Sequence, residues 1–207
     1  MSVGTDPILP LPEENAPTTR CRIIATAEAS FRQIGYQKTT VADIAKTLRM
    51  SPANVYRFFE SKKAINEAVV ERLTNEVEAL ISGIADAPGL SAAERVAEIV
   101  TALHRDCAER CEAFPRLHEM VEAAMIESWD VCRRHVDRIG SVFERVVADG
   151  VRRGEFGVDD PAVTGRCLHA AIVRYCHPVL VTQCPNVPVP PIEAMIAFLL
   201  NGLRPAR

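Results

Sequence analysis

No apolar run in the 207 residues approaches the roughly 18 that a membrane-spanning helix needs, and the longest candidate, Met195–Leu200, falls far short. The first 17 residues carry no Lys, no Arg and no apolar core segment. They therefore do not read as a signal peptide, and a cytoplasmic location with no membrane partner is expected. The ten glycines form no Gly-rich phosphate loop and no G-x-S-x-G, and no Ser/His/Asp set points to catalysis. Neither enzymatic activity nor a cofactor is expected. Alternation of apolar and polar residues never extends beyond four positions, and no internal repeat occurs, so strands have no sequence support. The seven cysteines, at positions 21, 107, 111, 132, 167, 176 and 184, are odd in number and scattered. In a chain of this length without a secretion signal they read as reduced thiols, not as a disulfide framework.

What is present is an ordinary globular composition, with 48% hydrophobic and 25% charged residues, which excludes a wholly disordered chain. The net charge of −3 conceals an asymmetry. Residues 1–17 carry −3, residues 18–65 carry nine Lys or Arg against three acids, and residues 66–207 carry 15 against 21. A short basic segment is thus joined to a long acidic one, and a basic segment is the electrostatic footprint of a nucleic-acid partner.

Residues 1–17 hold four prolines and no helical period, and are expected to be a disordered tail. From Thr18 to Ile34, Ile23, Ala27, Phe31 and Ile34 recur at helical spacing, and Gly35 follows as a stop. Thr40-Val41-Ala42-Asp43 reads as a capping box opening a second, short helix whose inner face is Val41, Ile44, Ala45 and Leu48. After a tight turn at Arg49-Met50, Ser51 caps and Pro52 starts a third helix running to about Phe59. Ser61 caps a fourth from Lys62 to about Ile81. Further helices are expected at Ser91–Cys111, Phe114–Glu127, Ser128–Arg153, Pro161–Cys176 and Pro190–Leu203, with a proline-rich loop at Cys184–Pro191. About nine helices and no sheet make the fold all-α: a helix-turn-helix head of three to four helices, residues 18–77, and a helical bundle, residues 78–207.

Residues 40–59 are two short helices joined by a tight turn, a helix-turn-helix. An α-helix fits the major groove of B-DNA, and its N-terminal residues meet the base edges. Free N–H groups at helix starts favour phosphate. Lys46, Arg49, Arg57, Lys62 and Lys63 supply the positive charge.

Gly35-Tyr36, Thr39–Ala45 and the run Ser51-Pro52-Ala53-Asn54-Val55-Tyr56-Arg57-Phe58-Phe59-Glu60-Ser61-Lys62 resemble the TetR/AcrR family of bacterial transcriptional regulators over roughly residues 20–70. The resemblance implies an all-α, dimeric, mostly repressive regulator whose variable C-terminal domain binds a small effector. It implies a phosphate contact at Thr40 and base reading by Pro52, Ala53 and Asn54 behind the Ser51 cap. It further implies a phosphate-backbone contact at Tyr56 and another at Lys62. Phe58 stands where many members have His, and Arg49 where the turn usually has Gly, which asks a non-glycine residue to adopt φ > 0. Val55 and Phe59 are expected in the core. The DNA-contacting set is thus Thr40, Arg49, Ser51, Pro52, Ala53, Asn54, Tyr56, Arg57, Phe58 and Lys62.

The C-terminal bundle is expected to hold an apolar or amphipathic effector among His118, Met125, Trp129 and Phe143, since large soft side chains line adaptable pockets. The apolar stripes of residues 161–176 (Cys167, Leu168, Ala171, Ile172, Tyr175) and 190–203 (Met195, Ala197, Phe198, Leu199, Leu200) are the expected homodimer surfaces. One short reading helix covers too few bases, and two-fold pairing on a palindromic operator doubles the site. Cys107-x3-Cys111 and Cys132-x2-His135 have spacings open to metal or oxidant, but no metal is expected. Two rivals stand beside the ligand-released repressor. One is a DNA-binding protein of the same fold without a small-molecule effector, and the other is a helical protein that senses metal or redox state through its Cys and His residues.

Overall fold

The computed structural model describes residues 17–184 and 186–205, so the tail expected at 1–17 lies outside the described residues save for Pro17. Ten α-helices follow one another and no strand occurs among the described residues: α1 (Thr19–Ile34), α2 (Val41–Thr47), α3 (Pro52–Tyr56), α4 (Lys62–Ala85), α5 (Ala92–Ala113), α6 (Leu117–Glu127), α7 (Trp129–Arg152), α8 (Pro161–Cys176), α9 (Pro178–Gln183) and α10 (Ile192–Leu203). The element the sequence reading missed is α9, a six-residue helix restarted by Pro178 directly after α8.

Helix starts follow from side-chain oxygens that take up otherwise unpaired N–H groups, each worth about 1 kcal/mol. Thr18 accepts from the Cys21 N–H, Ser51 from Asn54, Ser61 from Ala64 and Asp160 from Val163. Thr40 with Asp43 and Ser91 with Glu94 form complete capping boxes. Helix α1 ends at Gly35, whose φ of 92° is left-handed. A Cβ there would also meet the tips of the Glu119 and Arg116 side chains, which would have to shift, but it is the positive φ that calls for glycine.

Two apolar cores form. The first packs Phe31, Ile44, Val55, Ile65 and Val69 of the head against Met120 and Ala124 of α6. The second gathers Ile99, Phe143, Val146 and Ile172 of the bundle. Helix α4 is continuous across residue 78, and α6 belongs to the core of the head while remaining part of the bundle. In the second core, α7 and α8 approach so closely that a Cβ on Gly165 would lie 2.7 Å from the Gly140 carbonyl oxygen and the Glu144 nitrogen. Interior packing leaves no slack for such an addition.

Candidate nucleic-acid interface and an apolar cavity

The reading helix α3 is only five residues long, shorter than the stretch to about Phe59 expected from sequence. Val55 and Phe59 are fully buried and fasten it to the head, while Ser51, Pro52 and Ala53 are exposed and Asn54 is half-buried at its start. Tyr56 and Phe58 stand 51% and 42% exposed, so core packing does not occupy either ring. Thr40 is exposed at the start of α2, with its hydroxyl on the Asp43 carboxylate at 2.6 Å. That contact holds the Asp43 carboxyl below the usual carboxylate range. Arg49 has φ 56°, the left-handed conformation that its place in the turn demanded, and its side chain is exposed, as is that of Arg57.

Lys62 departs from the expected arrangement. Its ammonium faces inward and donates to the carbonyls of Tyr36 at 2.8 Å, Thr39 at 3.1 Å and Gln37 at 3.4 Å. An ammonium has three protons, and here all three have protein acceptors. In this structure Lys62 therefore ties the loop between α1 and α2 to the start of α4, and the phosphate contact implied by resemblance has no free N–H to use. Burial lowers its pKa, and the nearby Glu127 carboxylate partly opposes that shift.

Besides the continuous α4, the head is joined to the bundle through α6. Arg116 donates to the Ile34 carbonyl at 3.0 Å, the Tyr36 hydroxyl to Glu127 at 3.1 Å, and the Asn66 amide to the Met120 carbonyl at 3.1 Å. Burial and Glu127 push the Tyr36 hydroxyl well up from its ordinary range, so it stays a donor. A second tie is ionic. Glu28, buried in α1, meets Arg72 at 3.0 Å, Arg72 meets Glu76 at 3.4 Å, Arg110 meets Glu76 at 3.2 Å, and Arg110 meets Asp106 at 2.8 Å. Alternating charges thus run from α1 through α4 to α5.

A cavity of about 410 Å³ lies among α4 to α9. Its wall is mostly aliphatic, with Leu73, Val77, Leu103, Val121 and Ile139 typical. Met125 and Trp129 line it, and Trp129 is 55% exposed at its edge. His118 and Phe143 do not line it. His118 bonds the Pro115 carbonyl at 3.0 Å, and Phe143 is sealed in the second core. The reason is helical phase. Leu117, Val121 and Met125 share one face of α6 at four-residue spacing, and His118 sits a step of about 100° around from it. The polar wall residues sequence reasoning missed include Thr74, Asp106 and Arg110 on α4 and α5, and His169, Cys176 and His177 on α8 and at its end. Residues 169, 173, 176 and 177 fall on one face, a register present in the sequence, but the apolar stripe of the same helix points to a dimer surface.

Both charges from α5 in the wall, Asp106 and Arg110, are paired with each other, and His135 bonds Glu78 at 2.8 Å. Burial lowers the pKa of His169 to about 4, with the nearby His135 and His177 adding to the effect, and lowers that of His177 likewise. The Cys107 and Cys111 sulfurs lie 3.9 Å apart. The bond from Cys107 lowers the pKa of Cys111, while that same contact and burial raise Cys107, and burial raises Cys176 to about 12. Cys107 and Cys176 are therefore poor thiolates. Among the described residues, no three His, Cys, Asp or Glu side chains converge as a metal site.

The expected dimer stripes divide. Leu168, Ile172 and Tyr175 are buried within the chain, whereas Cys167 and Ala171 are exposed. On α10, Met195, Leu199 and Leu200 pack on the second core, and Phe198 stands 72% exposed with Ala197 beside it. No helix among the described residues is long and apolar enough to cross a membrane.

Residues 23–69 match the model of bacterial regulatory proteins of the tetR family, and residues 92–191 match that of the tetracyclin repressor-like C-terminal domain. The chain is 23% identical over 142 residues to an uncharacterized HTH-type transcriptional regulator, YhgD, of Bacillus subtilis (strain 168), covering 69% of this chain and 74% of that protein. A TetR/AcrR transcriptional regulator from Thermobifida fusca YX-ER1 is 25% identical and superposes with a TM-score of 0.65 over 89% of this chain and 98% of its own. FadR from Bacillus subtilis, solved in complex with stearoyl-CoA, shares the fold at 14% identity, with a TM-score of 0.67 over 88% of this chain and 98% of its own.

Proposed function

The chain belongs to the TetR family of helix-turn-helix transcriptional regulators, and from that premise we propose that it is a repressor released from a palindromic operator when an apolar or amphipathic effector fills the cavity among α4 to α9. The observation that carries this reading is the double membership of α6. Its Leu117, Val121 and Met125 line the cavity, and its Arg116 and Glu127 hold the end of α1 and the Tyr36 loop. A ligand that moves α6 therefore moves the base of the head. Only a difference in affinity between the two arrangements is needed.

Base reading falls to Pro52, Ala53 and Asn54, and backbone contact to Thr40, Ser51, Arg49, Tyr56 and Arg57, with Phe58 packing on sugar or methyl groups. Lys62 acts by holding the loop that presents Thr40. Dimerisation uses the exposed flank of α8 and α10, around Cys167, Ala171 and Phe198, with two reading heads on one operator. The effector class fits the cavity, whose size lies in the range that takes drug-sized ligands, and FadR's stearoyl-CoA is an amphipathic ligand in the same fold. A cytoplasmic location belongs to this reading.

The test starts with genomic DNA selected by the purified protein. Operator binding is then followed by fluorescence polarisation while compounds that stabilise the protein against heat are added. Stabilising compounds should release DNA. If they occupy the cavity and the operator stays bound at unchanged affinity, the repressor-release reading fails.

A further inference from the structure

We propose that the effector is an uncharged molecule with an apolar body and one hydroxyl, and that this hydroxyl docks on the ring of His169. The inference rests on the effector reading above and narrows its chemistry.

Three facts converge. His169 is 9% exposed and lines the cavity, whose wall is mostly aliphatic and whose charged members, Asp106 and Arg110, are paired with each other. His104, His118 and His135 each have a hydrogen-bond partner, whereas among the described residues His169 has none and the Nδ1 of His177 is buried without one. Buried polar groups are paired in the great majority of cases, and each exception asks for a partner. The cavity beside His169 is large enough to bring one.

The charge state selects the partner. Burial and the neighbouring His135 and His177 hold His169 neutral at physiological pH. A carboxylate could accept the ring's one N–H, but it would carry a full charge into a mostly apolar wall whose Arg110 is already held by Asp106 and Glu76. A cationic head would need an unengaged carboxylate, but Asp106 is held by Arg110, and Glu78 by His135 and Arg138. A neutral imidazole has one donor and one acceptor nitrogen. A hydroxyl, which both donates and accepts, satisfies it in either tautomer and carries no charge into the apolar wall.

The experiment compares three probes by titration calorimetry: 4-propylphenol, propylbenzene and 4-propylbenzoate. The wild-type protein should bind the phenol at least about ten-fold tighter than the hydrocarbon, and the benzoate least well. In His169→Leu the preference should invert, because the hydroxyl is then buried unpaired, while propylbenzene binds as well as before. His169→Gln, which restores a donor and an acceptor, should recover part of the preference. Equal binding of phenol and hydrocarbon to wild type overturns the inference and leaves an apolar effector site standing. So does a His169→Leu loss that is the same for both probes. Tightest binding by the benzoate overturns the neutral head, whether or not its heats depend on buffer ionisation. If none of the three binds at millimolar concentration, the inference and the effector reading fall together. If the phenol binds as expected but operator DNA stays bound, the inference holds and the release mechanism fails.

Discussion

The ammonium of Lys62 lies 2.8 Å from the carbonyl oxygen of Tyr36 and 4.2 Å from the centroid of the same residue's ring. One side chain at the start of α4 thus grips the residue that follows the end of α1 by both its backbone and its face. The Tyr36 hydroxyl, at the other end of that ring, donates to Glu127 of α6. Loop, head and bundle meet in this one stack.

Lys62→Ala should therefore act first on the fold. Losing charged hydrogen bonds to three carbonyls is expected to cost about 1–3 kcal/mol of stability. Operator affinity should fall on all sequences alike, because the loop presenting Thr40 loosens. The slope of log affinity against log salt separates this from a phosphate contact. It should stay unchanged, whereas a lost phosphate contact would lower it by about one per subunit. Denaturant titration and salt-dependent polarisation read the two effects.

Asn54→Ala should behave differently in kind. At the start of α3 the Asn54 amide can reach a base edge, and Asn pairs bidentately with adenine in the major groove. The expected cost is about 1–3 kcal/mol on the true operator, with relaxed preference at one base pair per half-site. Equal weakening on operator and scrambled DNA would place the reading face elsewhere.

Trp129, the sole tryptophan, sits at the cavity edge. Its emission should shift with any compound that releases DNA, and the shift should saturate with the same midpoint as release. A releasing compound that leaves the emission unchanged, and acts normally on Trp129→Ala, would move the effector site away from α6 and α7.

The pH dependence of stability has a worked sign. The pKa of His169 falls from the usual 6.5 to about 4 in the fold, so between these values the unfolded chain binds more protons than the folded one. Stability should then fall as pH drops below about 6.5 and stop falling, on this account, near 4. The full loss is at most about 3 kcal/mol. Urea midpoints of wild type and His169→Gln from pH 7.5 to 4 should diverge over this window, with the variant losing less on acidification.

Much of this was legible beforehand because caps and helical periods are local. Thr40 with Asp43, Ser51 with Pro52, and Asp160 with Pro161 each mark a helix start through a side chain within three residues. The left-handed Arg49 could be foreseen for the same reason. Direction was harder. Residue type suggested His118 and Phe143 for the cavity, but only the phase of a helix against its neighbours decides which side chain faces inward, and that depends on residues far away in sequence. His169 shares a face with Val173 and Cys176, but nothing local shows that this face meets a cavity. The inward role of Lys62 was hidden because its partners are backbone carbonyls more than twenty positions earlier, and a carbonyl has no sequence signature.

The meeting of α7 and α8 at Gly140 and Gly165 makes the cavity a chamber with walls of unequal stiffness. Where two backbones touch without intervening side chains there is nothing to re-pack, so those helices can only travel together. A guest too large for the space should displace α6 instead, whose Leu117, Val121 and Met125 line the cavity and whose preceding Arg116 holds the Ile34 carbonyl at the end of α1. The doorpost is thus built from glycine, and the door is the helix that already leans on the head.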